Sequence, residues 1–292
     1  MAHFPRQRGF TLIELVMVIV ILGVVGGMVS VFMKGPIDAY FASSRRAALT
    51  DVADTTVRRM ARDIHKALPN SLRNPGATCL EFIPTKTGAR YRSQEIVALD
   101  GKNLDFTTTD TSFNMLGSNS ALSVDQRIAV NDVVVVYNLG IAGSNAYLND
   151  NASTVRGVGA ETAAPVETPL TIDPMKYPLP SGGNRFHVVP SADPVVGYVC
   201  TGVGTNASGR GTGTLSRYIA TLPYAAPASC PAAAVAGKIT AVSVMATRVS
   251  ACNFDYSGSD LQRNALVRMT IQITDSNETV SLQSEVHVNN TP

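Results

Sequence analysis

Residues 15–33 read Leu-Val-Met-Val-Ile-Val-Ile-Leu-Gly-Val-Val-Gly-Gly-Met-Val-Ser-Val-Phe-Met, 19 positions without a charge. A helix built from this run is apolar on every face, so an apolar medium rather than water must surround it. Counted from Phe10, such a helix is about 36 Å long at 1.5 Å per residue, enough to cross a bilayer core with some tilt. Arg6 and Arg8 precede it. The positive-inside rule therefore puts residues 1–9 in the cytoplasm and everything beyond residue 34 on the far side of the membrane. A cleavable export signal would show a shorter apolar core followed by a small-x-small site, and neither is present.

Beyond the run the composition fits an extracytoplasmic domain. Charged residues make up only 16% of the chain, and the net charge of +2 is carried by Arg6 and Arg8: without them 22 Lys and Arg balance 22 Asp and Glu. A neutral body argues against phosphate-backbone binding, so no nucleic acid partner is expected. The four cysteines, Cys79, Cys200, Cys230 and Cys252, all follow the apolar run. An even number of well-separated cysteines in a translocated domain reads as two disulfides, with three possible pairings. Spacing favours Cys200 with Cys230, around a Gly-rich stretch, and Cys79 with Cys252. No two lie close enough in sequence for a zinc knuckle, and no metal or cofactor is expected.

Glu14 is the one acid within the apolar segment. A carboxylate costs about 2.5–3.5 kcal/mol at a bilayer centre and less near its edge. Cleavage after Gly9 would give Phe10 a cationic amine, which the Glu14 of a neighbouring subunit could neutralise; the bland alternative is an acid that snorkels to the interface. The string Gly9-Phe10-Thr11-Leu12-Ile13-Glu14 ahead of a hydrophobic run resembles the class III signal of type IV pilins and type II secretion pseudopilins. The resemblance implies that a prepilin peptidase cuts between Gly9 and Phe10 and that Phe10 is then N-methylated. It also implies a long helix packed on a β domain, an α+β pilin fold, with no enzymatic activity.

The rest of the chain is compatible with that expectation. Gly35-Pro36 should interrupt the helix after the membrane span of residues 10–34. Gly23, Gly26 and Gly27 within the run are candidates for local unwinding during assembly. An amphipathic helix should then occupy residues 35–69, with Leu49, Val52, Ala53, Thr56, Val57, Met60, Ala61, Ile64 and Leu68 on one stripe and Pro69 at its end. Residues 70–292 read as a β-rich periplasmic domain. Strands are expected at 79–84, 95–99, 103–107, 133–137, 185–189, 195–200, 214–220 and 239–249. Alternating Val267, Met269, Ile271 and Ile273 should form a hairpin with Val280, Leu282, Val286 and Val288. Residues 140–183 and 202–213, rich in Gly, Ala, Asn and Thr, read as long surface loops.

Shorter strings carry a finer resemblance. Ile37-Asp-Ala-Tyr-Phe41, Arg45-Arg-Ala-Ala-Leu-Thr-Asp51, Leu80-Glu-Phe-Ile83, Val134-Val-Val-Tyr-Asn138 and Cys252-Asn-Phe-Asp-Tyr256 are similar to the MshO group of mannose-sensitive haemagglutinin pilus biogenesis proteins. That group is itself similar to PilW minor pilins and J-type pseudopilins. The resemblance implies a minor subunit in a tip or initiation complex, working with sibling pilins, the inner-membrane assembly platform and inner-membrane lipid. A tip adhesin acting through the long loops, or a J-type pseudopilin of type II secretion, remain alternatives. Catalytic patterns are missing: His3, His65, His187 and His287 stand in no metal or nucleophile motif. Asp105 with Asp110, and Asp255 with Asp260, read as solvated turns, too sparse for calcium.

Overall fold

The computed structural model describes residues 9–95, 101–231, 237–256 and 264–292. The chain divides into two compact units, Met1–Ala48 and Leu49–Pro292. Within the first, every residue from Gly9 to Tyr40 is exposed, and from Leu12 onward the segment is helical. The helix α1 (Leu12–Ile64) carries Pro36 inside it without an assigned break. The expected interruption at Gly35-Pro36 is therefore absent, and Gly23, Gly26 and Gly27 are also helical.

In the second unit, Leu49, Ala53, Thr56, Val57, Met60 and Ile64 recur at three- and four-residue steps and are buried, whereas Arg58, Arg59 and Arg62 are exposed. This is the apolar stripe expected from the sequence, except that Val52 stays in solvent. α1 ends at Ile64, before Pro69. Ala67 N–H donates to Ile64 O and tightens the last turn, and Leu68 N–H then donates to Ile83 O. The backbone is captured by the sheet before the proline is reached.

That sheet has seven strands in the order β1-β2-β9-β10-β11-β12-β13, all pairs antiparallel. They are β1 (Arg73–Gly76), β2 (Cys79–Phe82), β9 (Val195–Thr201), β10 (Gly213–Ala220), β11 (Ile239–Tyr256), β12 (Asn264–Asp275) and β13 (Glu278–Asn289). One face meets α1: Met60 and Ile64 pack with Phe82, Tyr198, Leu215, Val267 and Ile271 in one core. The expected hairpin is present, with Asp275 opposite Glu278 and the turn residues Ser276 and Asn277 at φ 52° and 63°. Two left-handed residues are what a tight two-residue turn needs to match strand twist.

Between β2 and β9 the chain builds a separate closed barrel, β3-β4-β7-β6-β5-β8. Its strands are β3 (Thr87–Tyr91), β4 (Asp110–Leu116), β5 (Val133–Val136), β6 (Ala152–Val158), β7 (Glu167–Met175) and β8 (Arg185–Val189). Phe113, Val134, Val155, Leu170, Ile172 and Phe186 fill its interior. Leu68, Ile83, Val135, Tyr147, Val189 and Val195 form a second apolar layer. Two sequence expectations fail here. Residues 103–107 are not a strand: Asp105 accepts from Thr107 and Thr108 in a local turn, and the strand begins at Asp110. Residues 140–183 are not a loop, since they supply β6 and β7. Most of the expected strand at 95–99 lies outside the described residues.

The disulfides are Cys79–Cys230 and Cys200–Cys252, with Cα separations of 5.5 and 6.4 Å. The expected pairing, Cys200 with Cys230 and Cys79 with Cys252, is wrong for a reason set by strand alternation. Cys79 pairs with Val199 in the β2–β9 ladder, so it shares a face with Val199 and not with the next residue, Cys200. Cys200 and Cys252 pack with the core under α1, whereas Cys79 and Cys230 pack with Tyr218 on the opposite face. A register shift in β11 between Val249 and Ala251, next to Arg248 at φ 61°, accompanies the change of partner from β10 to β12.

Candidate functional site

The site with the most specific chemistry is the start of α1. Thr11 is the residue before the helix, and its carbonyl accepts the first helical hydrogen bond, from Leu15 N–H at 3.2 Å. Glu14 Oε2 accepts from Thr11 N–H and from Thr11 Oγ–H, both at 2.9 Å, while Glu14 N–H donates to Thr11 Oγ1 at 3.3 Å. This reciprocal arrangement is a capping box, in which the third helical residue reaches back to the cap. It holds the Glu14 carboxylate at the helix N-terminus, where the partial positive charge of the helix also favours an anion. Sequence reading assigned Glu14 a role between subunits and overlooked Thr11; the T-x-x-E spacing was the available signal.

Gly9 and Phe10 lie just ahead of the cap. A Cβ placed on Gly9 would meet nothing within 4 Å among the described residues. Phe10 is 86% exposed, and beyond Glu14 the exposed surface from Leu15 through Met33 carries no charged residue. One window of α1 reaches a mean hydropathy of 2.8, with no residue in it buried. By length and composition this helix can cross a membrane, and residues 12–34 alone would rise about 34 Å. Such a surface would not be stable facing water.

Other residues examined for chemistry are occupied structurally. His187 lies on β8, where burial and, secondarily, the neighbouring Arg185 lower its pKa below the usual histidine value. Asp105 is held down to about 2 by hydrogen bonds from Thr107 and Thr108, as a turn-capping acid would be. Asp255 is part of β11, and Asp260 lies outside the described residues. Among the described residues no group of three or more His, Cys, Asp or Glu side chains could hold a metal ion. The Gly-rich stretch 202–213 does fold as a loop, closed by Asn206 N–H to Arg210 O and pinned to the β12–β13 turn by Asn277 N–H to Gly209 O.

Glu81 was not singled out from sequence, yet it is fully buried at the centre of a polar network. Arg73 Nε donates to its Oε1 at 2.7 Å and Tyr218 O–H to its Oε2 at 2.7 Å. The Arg73 guanidinium also lies 3.5 Å over the Tyr147 ring. These contacts tie β1, β2 and β10 to the Ala146–Leu148 turn and serve the scaffold.

Residues 4–30 match the family model of the prokaryotic N-terminal methylation motif. The match supports a type IV pilin-like or pseudopilin protein, processed by a prepilin peptidase and anchored by one span. No curated protein and no solved structure matches the chain.

Proposed function

We propose that this chain is a minor pilin or pseudopilin that takes part in assembling a type IV pilus of the mannose-sensitive haemagglutinin type, as part of a tip or initiation complex. The carrying observation is the sequence Gly9-Phe10 directly ahead of a capped helix whose apolar residues through Met33 are all exposed. The precursor sits in the inner membrane with its β domain in the periplasm. A prepilin peptidase removes residues 1–9, and the new Phe10 amine becomes N-methylated. Glu14 of one subunit then pairs with the Phe10 amine of its neighbour as apolar helices exchange lipid for each other. The partners are sibling pilin-like subunits and the inner-membrane assembly platform.

The test uses the full chain in its own host. Mass spectrometry of the mature protein should show N-methyl-phenylalanine at residue 10, and Gly9→Val should leave the leader attached. Glu14→Leu should be cleaved normally yet recovered poorly in complexes with sibling pilins. Recovery of Glu14→Leu at the wild-type level would remove the assembly role assigned to this acid.

A further inference from the structure

The outer face of the β3–β8 ladder sets two arginines directly opposite each other. Arg90 stands directly opposite Arg185, and Gly88 directly opposite His187. Directly paired side chains of an antiparallel ladder lie on one face about 5 Å apart at Cβ, and like charges so placed repel. The alternate residues Ala89 and Phe186 point into the barrel core, so the four others face outward. Neighbouring cations have partners: Lys86 pairs with Asp132, and Arg217 with Asp63 and Asp193. Arg90 and Arg185 have no carboxylate in ion-pair distance among the described residues.

The surroundings give this cationic pair a shape. Gly88 leaves His187 without a cross-strand side chain: a Cβ there would sit 3.3 Å from Phe186 O and 3.4 Å from His187 Nδ1, and Gly88 faces a second cleft that Asp63, Asp125 and Asp193 also line. A cleft of about 520 Å³ opens beside Arg90, Arg185 and His187, walled on its other sides by Thr85, Gly183, Asn289, Thr291 and Pro292. Its polar lining offers hydroxyls, an amide and cations, and the described residues lining it include no Asp or Glu. His187 is partly buried in the same wall, with Val135 on its other side in the β5–β8 ladder.

We propose that the cleft at Arg90 and Arg185 binds an oxyanion, a carboxylate or phosphate group carried by a larger ligand that occupies it. The two guanidiniums take the anion's oxygens through charge-assisted hydrogen bonds, and His187 supplies a further donor. The bound anion replaces the repulsion between Arg90 and Arg185 with two attractions, which is why a ladder can keep two arginines face to face. The site joins barrel residues to the end of β13 and does not depend on the processing of Gly9-Phe10.

The test is titration of the full-length protein in detergent with inorganic phosphate, glucuronic acid and glucose, followed by calorimetry and thermal unfolding. Saturable binding of phosphate, glucuronate or both, without binding of glucose, is expected; which anion binds identifies the carrier group. Arg90→Gln and Arg185→Gln should each weaken that binding about tenfold, equivalent to about 1.4 kcal/mol. Without ligand, Arg90→Gln should raise the melting temperature, because the like-charge opposition is gone. Anion binding unchanged in the two glutamine variants, glucose binding as well as glucuronate, or no response to either anion would overturn the proposal. A lowered melting temperature in ligand-free Arg90→Gln would do the same, by showing that the arginine is structural.

Discussion

Thr11 and Glu14 cap α1, and two substitutions separate that task from the assembly role proposed for Glu14. Glutamine at position 14 keeps the reciprocal hydrogen bonds of a capping box and loses the charge, whereas leucine loses both. If charge is the assembly determinant, Glu14→Gln should start its helix normally and still be recovered poorly with sibling subunits. Recovery restored by Glu14→Gln would instead assign the effect to the cap. Buried Glu81 gives a residue-scale prediction for stability. Glu81→Ala leaves Arg73 beside an empty carboxylate position and Tyr218 without its acceptor. Removing one partner of a buried ion pair costs about 3–5 kcal/mol, and a urea denaturation midpoint should report it. The sequence displayed Glu14 because an acid among nineteen uncharged residues stands out. It concealed Glu81, because one acid in a short strand looks like any solvated position until Arg73 and Tyr218 are folded around it.

At the scale of elements, what could be read was whatever had a regular period. The stripe from Leu49 to Ile64 and the alternation on β12 and β13 are local patterns, and both are where the sequence puts them. β6 and β7 carry no such signal. Their sequences include Gly157, Pro169 and Pro174, residues that normally mark turns, and their strand state comes from barrel closure against β4 and β5. The disulfide pairing was hidden for a related reason, since face assignment depends on register and register depends on which strands are neighbours. The register also makes Gly197 a sharp test. A Cβ there would lie 2.0 Å from Tyr218 Cζ, and that ring is held in place by Glu81 at 2.7 Å. Gly197→Ala should cost about 3 kcal/mol or more by overpacking, seen as a lower melting temperature. Each disulfide should contribute about 4–5 kcal/mol by the chain-entropy argument, for sequence separations of 52 and 151 residues. Cys200→Ser with Cys252→Ser should therefore unfold at lower denaturant than wild type under oxidising conditions.

The whole domain's response to acid carries a contribution from His187, whose pKa is lowered in the folded state by burial and then by Arg185. The unfolded chain takes up a proton near pH 6.5, while the folded chain resists it until a lower pH. This contribution is complete above about pH 6.5 and is lost as pH falls through the folded value. His187→Asn should flatten the decline in denaturant midpoint below about pH 6.5 without changing the slope at higher pH; an unchanged acid limb would show that other groups set it. His187 shares one cleft with Arg90 and Arg185, and another with Lys66, Lys86, Arg217, Asp63, Asp125 and Asp193.

The barrel leaves the seven-stranded sheet and returns to it at nearly one point, because Phe82 at the end of β2 lies opposite Val196 at the start of β9. Those two strands are adjacent whether the chain between them is long or short. The barrel is thus a cassette: descendants of this gene can lengthen, shorten or exchange it without rethreading the scaffold that carries the amino-terminal helix. Selection on what the molecule touches and selection on how it assembles act on separate stretches of one gene.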